Sequence, residues 1–185
     1  VFGDYTHSGD PYALEWPYSD TTLAGADLKG VNLSGANITA VDLSGADLTG
    51  AILEEVTGYS VPVTGAILED VQVSGGTFGW FDLNHLNARN IQFESVAMYW
   101  PGPGDYDWSY SNLEGARFIN SGHQPDEWSK PAMEQWNWQG ANLKGATFMG
   151  CDMPSNGFNG ADLREATFQA IDLTYSDFSG AQLTG

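Results

Sequence analysis

Three small clusters of His, Asp and Glu contain residue types that could bind a metal ion. One offers two carboxylates for calcium, and the other two combine carboxylates with an imidazole: Asp105 and Asp107; Asp4, His7 and Asp10; His123, Asp126 and Glu127. None of these clusters has the spacing of a recognised ligand motif. We therefore predict no cofactor and no metal, and keep calcium at Asp105 and Asp107 as the alternative.

Covalent and acid–base catalysis have no recognisable motif in the sequence. There is no nucleophile elbow, phosphate-binding loop or Cys-x-x-Cys pair, and no carboxylate pair can be singled out among 24 Asp and Glu residues. The single cysteine, Cys151, occupies a position where most nearby repeats have Ala, so we interpret it as core filler. We expect the protein not to be an enzyme.

The charge balance restricts the classes of partner. Six Lys and Arg stand against 24 Asp and Glu, which gives a net charge of −18 and a pI near 4.1. Such a surface repels nucleic acid and anionic membranes and attracts cations or basic protein surfaces. No apolar stretch is long enough for a membrane span. Direct binding to nucleic acid is therefore not expected.

Large apolar residues recur at every fifth position from residue 141 to residue 183. They are Leu143, Phe148, Met153, Phe158, Leu163, Phe168, Leu173, Phe178 and Leu183. Two positions before most of them stands a small residue: Ala141, Ala146, Cys151, Ala161, Ala166 and Ala181. A period of five fits neither an α-helix nor a flat strand, so the backbone has to turn a corner in each repeat. The inward side chains are predicted to fill the axis of a narrow solenoid whose repeats stack on one another.

The repeats also carry a residue pattern, A(D/N)LxX. It stands here as Ala26-Asp27-Leu28, Val31-Asn32-Leu33, Ala36-Asn37-Ile38, Val41-Asp42-Leu43, Ala46-Asp47-Leu48 and Ala161-Asp162-Leu163. With this pattern the chain resembles the pentapeptide-repeat proteins. The resemblance implies an all-β fold, a right-handed quadrilateral parallel β-helix with four repeats to a coil. We expect residues 1–185 to form one such domain.

Three segments depart from the repeat. Residues 1–20 are rich in aromatic residues and are predicted to cap the first coil, whereas residues 99–111 and 121–137 are predicted to be loop insertions. Leu113 and Leu143 keep the phase of Leu28, so each insertion is a whole number of repeats long. Both are therefore expected to leave and rejoin a single solenoid.

Two features predict local distortion of the coils. Gly58 stands where a large apolar residue is expected, so we predict a bulge or a slack corner there. Phe81, Leu86 and Ile91 are large at the position that is otherwise small. The middle coils are therefore expected to be wider than the others.

The two insertions contain most of the tryptophans. Candidate interaction residues in and beside them are Tyr99, Trp100, Tyr106, Trp108, Tyr110, Trp128 and Trp136. Exposed aromatic residues of this kind could anchor a protein partner or stack on sugar rings. Alternatively, they could fold back over the solenoid wall as a small second core.

A row of acidic residues precedes the large apolar positions, and two interpretations compete for it. Its members include Asp27, Asp42, Asp47, Asp162, Asp172 and Asp177. The resemblance implies a mimic of duplex DNA that binds a topoisomerase, since some family members use acid-lined faces in that way. The simpler interpretation is that Asp and Asn side chains bond to the backbone at the corners.

The C-terminal repeats predict a site of self-association. The chain stops in mid-pattern after Phe178, Ala181 and Leu183, with no capping segment. An uncovered coil is both a sheet edge and an apolar cross-section. The resemblance implies a two-fold dimer through the C-terminal coils, whereas stacking of this end on another molecule's first coil would give a filament.

Taken together, the sequence predicts a non-enzymatic structural or interaction solenoid that associates with itself. The start at Val1, the six Lys and Arg and the abundant Gly, Ser, Thr and Trp suggest an exported protein, extracellular or periplasmic. The alternative is a cytoplasmic DNA mimic that binds a type II topoisomerase. A third hypothesis is a carbohydrate-binding solenoid that uses the Trp-rich loops.

Overall fold

A computed structural model describes residues 21–79, 83, 85–99, 107–121 and 133–184, with the backbone alone at 98 and 99. The chain winds as a parallel β-helix. Thr22 pairs in parallel with Asp42, and Ile52 pairs with Gln72, so residues of coils without an insertion lie beside the residues 20 positions later. Because 20 residues are four repeats of five, every coil has four sides. The predicted all-β, quadrilateral parallel β-helix is confirmed.

The described residues contain nine short strands, all paired in parallel. They are β1 (Ile52–Glu54), β2 (Thr57–Tyr59), β3 (Gln72–Ser74), β4 (Thr77–Gly79), β5 (Gln92–Glu94), β6 (Ala97–Tyr99), β7 (Arg117–Ile119), β8 (Thr147–Met149) and β9 (Thr167–Gln169). They form a six-stranded sheet in the order β1-β3-β5-β7-β8-β9 and a three-stranded sheet in the order β2-β4-β6. On the other sides of the coil, single parallel β-bridges, such as that from Asp27 to Asp47, join successive coils. The corner after each three-residue strand keeps the strands short.

We number the sides of the coil in chain order by their inward apolar residues. Side 1 contains Leu23, Leu43, Val63, Leu83, Trp108, Trp138, Phe158 and Phe178. Side 2 contains Leu28, Leu48, Leu68, Ala88, Leu113, Leu143, Leu163 and Leu183. Side 3 is the six-stranded sheet, and side 4 begins at Ile38 and continues in the three-stranded sheet. Sides 1 and 3 therefore face each other across the axis.

The insertions change the register by whole repeats, as predicted. On side 3, Phe148 pairs with Phe168, 20 residues on, whereas Phe93 pairs with Phe118 and Phe118 with Phe148, which are 25 and 30 residues apart. The first insertion thus adds one repeat and the second adds two. Because the added lengths are multiples of five, the inward phase of the solenoid survives both insertions.

The predicted limits of both insertions are wrong. Residues 107–111 and 133–137 already lie in regular coils, since Asp107 bridges Asn137 and the backbone NH of Met133 donates to the carbonyl of Asp152 at 2.7 Å. The predicted ranges 99–111 and 121–137 are therefore too wide. Residues 100–106 and 122–132 of the two insertions and the predicted cap at 1–20 lie outside the described residues.

Gly58 does not produce the predicted bulge. It lies in the middle of β2 and pairs with Phe78 in regular register. A Cβ at this position would lie 3.0 Å from Cγ1 of Ile38 and 3.3 Å from Cγ2 of Val61. Neighbouring side chains therefore occupy the space that a large residue would need, and the backbone stays regular.

Aromatic rings form the core of the C-terminal half. On side 3, Phe93, Phe118, Phe148 and Phe168 stack with ring centroids 5.1–5.2 Å apart. On side 1, Trp108, Trp138, Phe158 and Phe178 stack at 4.9–6.0 Å. Rings of the two sides meet edge to face, as Trp138 and Phe148 do at 5.5 Å and 81°. Aromatic rings of the two stacks therefore meet across the axis in this half.

Candidate functional site

The C-terminal coil presents apolar side chains that the described chain leaves uncovered. Leu143, Phe148 and Leu163 are buried in the coils before it. By contrast, Phe168, Leu173, Phe178 and Ala181 are only partly buried, and Leu183 is 60% exposed. The predicted contact residues Phe178, Ala181 and Leu183 therefore lie together at one end of the solenoid.

Within the described residues, the backbone at this end forms an edge of the sheet. β9 is an edge strand of the six-stranded sheet and pairs with β8. Within residues 133–184, sides 1 and 2 continue for one further repeat beyond Phe168 and Leu173, whereas sides 3 and 4 do not. An unpaired edge beside exposed apolar side chains can accept another strand and bury a further apolar surface.

The N-terminal coil has a similar apolar surface. Leu23, Leu28, Val31, Leu33 and Ala36 are packed against the core but only partly buried. The two ends of the described solenoid thus offer two different apolar cross-sections, one aliphatic and one with phenylalanine rings. In a two-fold dimer the C-terminal cross-section would pack against the same cross-section of a second copy. In a head-to-tail filament it would pack against the N-terminal cross-section of the next copy.

Trp108 and Trp136 are wrong as interaction candidates. Trp108 is fully buried as an inward residue of side 1, and Trp136 is buried at the position two residues before Trp138. Their place in the repeat accounts for this, since residues 108 and 138 share the phase of Leu143. Counting the sequence in steps of five from Leu143 and Ala141 predicts that Trp108 and Trp136 point inward. Both tryptophans belong to the main core and not to a second core on the wall.

Tyr110 is a surface aromatic residue, as predicted, with 56% of its area exposed. It lies at a corner with φ of 58°, and its ring stacks on His85 with centroids 5.4 Å apart. The side chain of Tyr99 and the residues Trp100, Tyr106 and Trp128 lie outside the described part. The prediction missed Tyr175, which is 92% exposed. It also occupies a corner position, which the repeat directs outward.

The acidic residues before the inward positions bond to their own corners. The Oδ1 atoms accept the backbone NH two residues on, at 2.9 Å from Ser44 to Asp42, 3.1 Å from Thr49 to Asp47 and 2.8 Å from Ser179 to Asp177. Asp27, Asp162 and Asp172 make the same contact at 3.4, 3.2 and 2.8 Å. The simpler of the two interpretations therefore explains why Asp and Asn recur there.

Basic side chains neutralise part of the acidic row on side 2. Lys29 lies between Asp27 and Asp47, with its Nζ 3.6 Å from the first and 2.9 Å from the second. Arg164 Nε donates to Asp162 Oδ1 at 2.8 Å. Side 2 is therefore not a continuous stripe of free carboxylates.

The same contacts lower several carboxyl pKa values. Hydrogen bonds from Thr49 and Lys29 lower the pKa of Asp47 from 3.8 to about 2. Ser44 lowers the pKa of Asp42, Arg164 that of Asp162, and Ser179 that of Asp177. These carboxylates are ionised at neutral pH and are oriented by the corners that they bond.

Of the candidate metal ligands, the structure describes Asp107. Its Oδ1 accepts the backbone NH of Ser109 at 2.9 Å and Nδ2 of Asn137 at 3.0 Å. Asp105, Asp4, His7, Asp10 and the cluster from His123 to Glu127 lie outside the described residues. Within the described ranges, no group of three or more His, Cys, Asp or Glu residues could hold a metal ion, and no helix could span a membrane.

A four-sided parallel β-helix built from repeats of five residues defines a class of solenoid. The model of the pentapeptide repeats family matches residues 19–54 and 158–185, with eight copies of the repeat. The same repeat continues through the described coils between these segments. In these two segments, 64 of its 185 residues, the chain matches the pentapeptide-repeat family. A search of curated proteins found no match.

Solved structures with which the chain aligns are also pentapeptide-repeat proteins. QnrB1, a plasmid-mediated fluoroquinolone resistance protein, is 21% identical, with a TM-score of 0.44 over 88% of this chain and 89% of that one. HetL, involved in heterocyst differentiation regulation in the cyanobacterium Nostoc, is 15% identical, with a TM-score of 0.41 over 85% and 90%. A protein of the Arabidopsis thaliana thylakoid lumen is 21% identical, with a TM-score of 0.31 over 71% and 67%.

Proposed function

We propose that this protein is a non-enzymatic interaction solenoid that associates with itself through its C-terminal coil. The observation that carries the proposal is the exposed apolar surface of Phe168, Leu173, Phe178 and Leu183 beside the edge strand β9. Burying this surface against a second copy would remove apolar area from water and satisfy free backbone groups.

The aromatic stacks favour a second copy as the occupant. The Phe178 ring lies 4.9 Å from Phe158 at 10°, and the Phe168 ring lies 5.1 Å from Phe148 at 7°. Each outermost ring is therefore oriented so that one further ring could continue its stack. In a two-fold dimer the second copy presents its own Phe168 and Phe178 rings to this surface, because an isologous contact uses the same surface of both copies.

Light scattering after size-exclusion chromatography tests the proposal. We expect an assembly larger than the monomer, and a shift to the monomer in Phe178→Asp and Leu183→Asp. Tyr175→Ser removes an exposed aromatic residue from a corner near the same end and should leave the assembly unchanged. A wild-type protein that is monomeric at all concentrations would refute self-association.

A substitution at the opposite end distinguishes a dimer from a filament. Leu28→Asp introduces a charge into the N-terminal coil, where Leu28 is partly buried. A two-fold dimer through the C-terminal coils should tolerate this change, whereas a head-to-tail filament should dissociate because the N-terminal surface is half of each contact. Circular dichroism would establish that the variant is folded.

The second candidate function is a DNA mimic that binds a type II topoisomerase in the cytoplasm. The net charge of −18 and the ionised carboxylates at the corners favour it. It ranks second because the corner hydrogen bonds already explain the acidic row. Protection of DNA gyrase from a quinolone, measured as retained supercoiling, would support it, and the loss of protection in Asp172→Asn with Asp177→Asn would locate the surface.

Carbohydrate binding is the third candidate, and the stacked pair His85 and Tyr110 is the described surface that favours it. Aromatic faces of this kind stack on sugar rings. Binding on a glycan array that disappears in Tyr110→Ala would support this function. The burial of Trp108 and Trp136 removes two of the aromatic residues that it would otherwise use.

The proposed compartment is extracellular or periplasmic, and it follows from composition. The fraction in which the full-length protein accumulates in its own cells would test it. A cytoplasmic location would instead favour the topoisomerase hypothesis, because DNA gyrase is a cytoplasmic enzyme.

A further inference from the structure

Two asparagines of the first described coil stand in the sequence Asn-x-Ser/Thr. Residues 32–34 read Asn-Leu-Ser, and residues 37–39 read Asn-Ile-Thr. Of the eleven asparagines in the chain, Asn32 and Asn37 alone have Ser or Thr two positions on. Asn-x-Ser/Thr, where x is not proline, is the acceptor sequence for N-linked glycans. We refer to these two sequences as the sequons.

The five-residue repeat places both sequons on the surface of the solenoid. In each sequon the apolar middle residue packs against the core, so the residues on either side of it point outward. Asn32, Ser34 and Asn37 are exposed, and Thr39 is partly exposed. A glycan attached to either asparagine would therefore extend into solvent without disturbing the inward side chains.

The side-chain amide of each sequon asparagine bonds to the corner through its oxygen. Oδ1 of Asn32 accepts the backbone NH of Ser34 at 2.8 Å, and Oδ1 of Asn37 accepts that of Thr39 at 3.0 Å. Neither Nδ2 atom has a hydrogen-bond partner among the described residues. A substituent on Nδ2 would therefore leave both corner hydrogen bonds in place.

Other asparagines at the same repeat position use their Nδ2 atoms within the solenoid. Nδ2 of Asn137 donates to Oδ1 of Asp107 at 3.0 Å, and Nδ2 of Asn142 donates to Oδ1 of Asn112 at 3.0 Å. Each of these hydrogen bonds joins one coil to the coil before it. A glycan on Asn137 or Asn142 would remove such a bond, whereas a glycan on a sequon asparagine would remove none among the described residues.

The position of the sequons in the coil allows both to be modified. Asn32 lies on side 3 and Asn37 on side 4, so two glycans would leave a four-sided coil roughly at right angles to each other. The two asparagines pair with Ile52 and Thr57 of the next coil. Because repeats bury a core only by stacking on neighbours, both sequons stay accessible until those residues have been synthesised.

We propose that Asn32 and Asn37 are acceptor sites for N-linked glycans. In the transfer, the bond between C1 of the first sugar and the diphosphate of its lipid carrier breaks, and C1 forms a bond to Nδ2. Nδ2 loses one proton, and the lipid diphosphate is the leaving group. The proposal rests on the proposed export, because the lipid-linked oligosaccharide and its transferase act outside the cytosol. It is independent of self-association at the C-terminal coil.

Secretion of the full chain by a eukaryotic cell, behind a cleavable signal peptide, tests both sites. We expect intact mass spectrometry to show a glycan at each sequon, and peptide N-glycosidase F to remove both and convert the two asparagines to aspartate. Tunicamycin, which blocks synthesis of the lipid-linked donor, should give the unmodified mass. A secreted chain without a glycan at Asn32 and Asn37 would overturn the proposal, and a single unmodified sequon would refute that site.

Asn32→Asp and Asn37→Asp are the matched variants. Asp42 and Asp47 occupy the same repeat position and accept the same backbone NH at 2.9 and 3.1 Å, so both variants should fold, which circular dichroism would establish. Each should remove one glycan and leave the other. Localisation of the natural protein is a separate test. Recovery from the cytosol would refute the proposed export, whereas the secreted chain decides whether the two asparagines are acceptors.

Discussion

The indole rings of Trp108 and Trp138 stack 5.9 Å apart and nearly parallel, but the two indole NH groups have different environments. Trp138 Nε1 donates to Asn156 Oδ1 at 2.8 Å, whereas Trp108 Nε1 is buried and has no hydrogen-bond partner among the described residues. The two NH groups differ because of the residue that stands two positions before the next inward ring on side 1. Two residues before Phe158 the chain has Asn156, and two residues before Trp138 it has Trp136.

The first prediction compares Trp138→Phe with Trp108→Phe. Both remove a similar volume from the stack, but only the first leaves a buried oxygen, Asn156 Oδ1, without its donor. The second removes a donor that has no partner. We expect Trp138→Phe to lower the free energy of unfolding by about 1–3 kcal/mol more than Trp108→Phe. Urea denaturation measures this difference, and equal losses would contradict the assignment.

The second prediction concerns the contact between the two stacks. Phe118 is fully buried and touches Phe93 and Phe148 on its own side and Trp108 and Trp138 across the axis. Phe118→Ala should therefore cost about 3–5 kcal/mol. Phe168→Ala, at a position that is partly buried in the single chain, is the matched control and should cost clearly less when both changes are made in the monomeric Leu183→Asp protein. Denaturant midpoints of both variants test this order, which a similar cost for the two would refute.

The third prediction is a pH dependence that comes from Asp47. Its pKa is lowered from 3.8 to about 2 in the folded protein, so the unfolded chain binds the proton more tightly. The stabilisation is present above about pH 4 and is lost as the pH falls through about 2. The slope of stability against pH between these values should be shallower in Asp47→Asn. Thermal melts at closely spaced pH values test this, and an unchanged slope would show that Asp47 contributes nothing.

The fourth prediction concerns backbone conformation at two positions with positive φ. Gly76 has φ of 75°, and a Cβ there would lie 2.4 Å from the carbonyl oxygen of Val56. Gly76→Ala should therefore cost about 2–4 kcal/mol. Ala170 has φ of 55° at an exposed corner, and Ala170→Gly should stabilise the protein by up to about 1 kcal/mol, because glycine avoids the left-handed strain but loses more entropy.

Differential scanning fluorimetry of the two variants measures whether each change raises or lowers the melting temperature. Gly76→Ala should melt below the wild type, and Ala170→Gly should melt at or above it. A Gly76→Ala protein as stable as the wild type would mean that the coil relaxes around the added methyl group.

Phase in the five-residue repeat is the strongest indication that the sequence gives of which side chains are buried. It correctly predicts that Leu143, Phe148 and Leu163 are buried and that the insertions are whole repeats long. The same count places Trp108 in the core, but the aromatic composition of the neighbouring segment suggested a loop. Gly58 is a different case, because the space beside it is filled by Ile38, a residue one coil earlier.

The five-residue period by itself determined that this protein is a solenoid whose chain turns a corner in each repeat. The four-sided coil was predicted from the resemblance of its A(D/N)LxX repeats to the pentapeptide-repeat proteins. Only the tertiary structure decided where aromatic rings meet across the axis and where shorter side chains line an apolar cavity of about 60 Å³. That depends on which side chains face each other across the coil, and opposing residues such as Trp108 and Phe118, or Val63 and Val73, are ten residues apart in the chain. Their separation across the axis is set by the width of the coil, which no single repeat specifies.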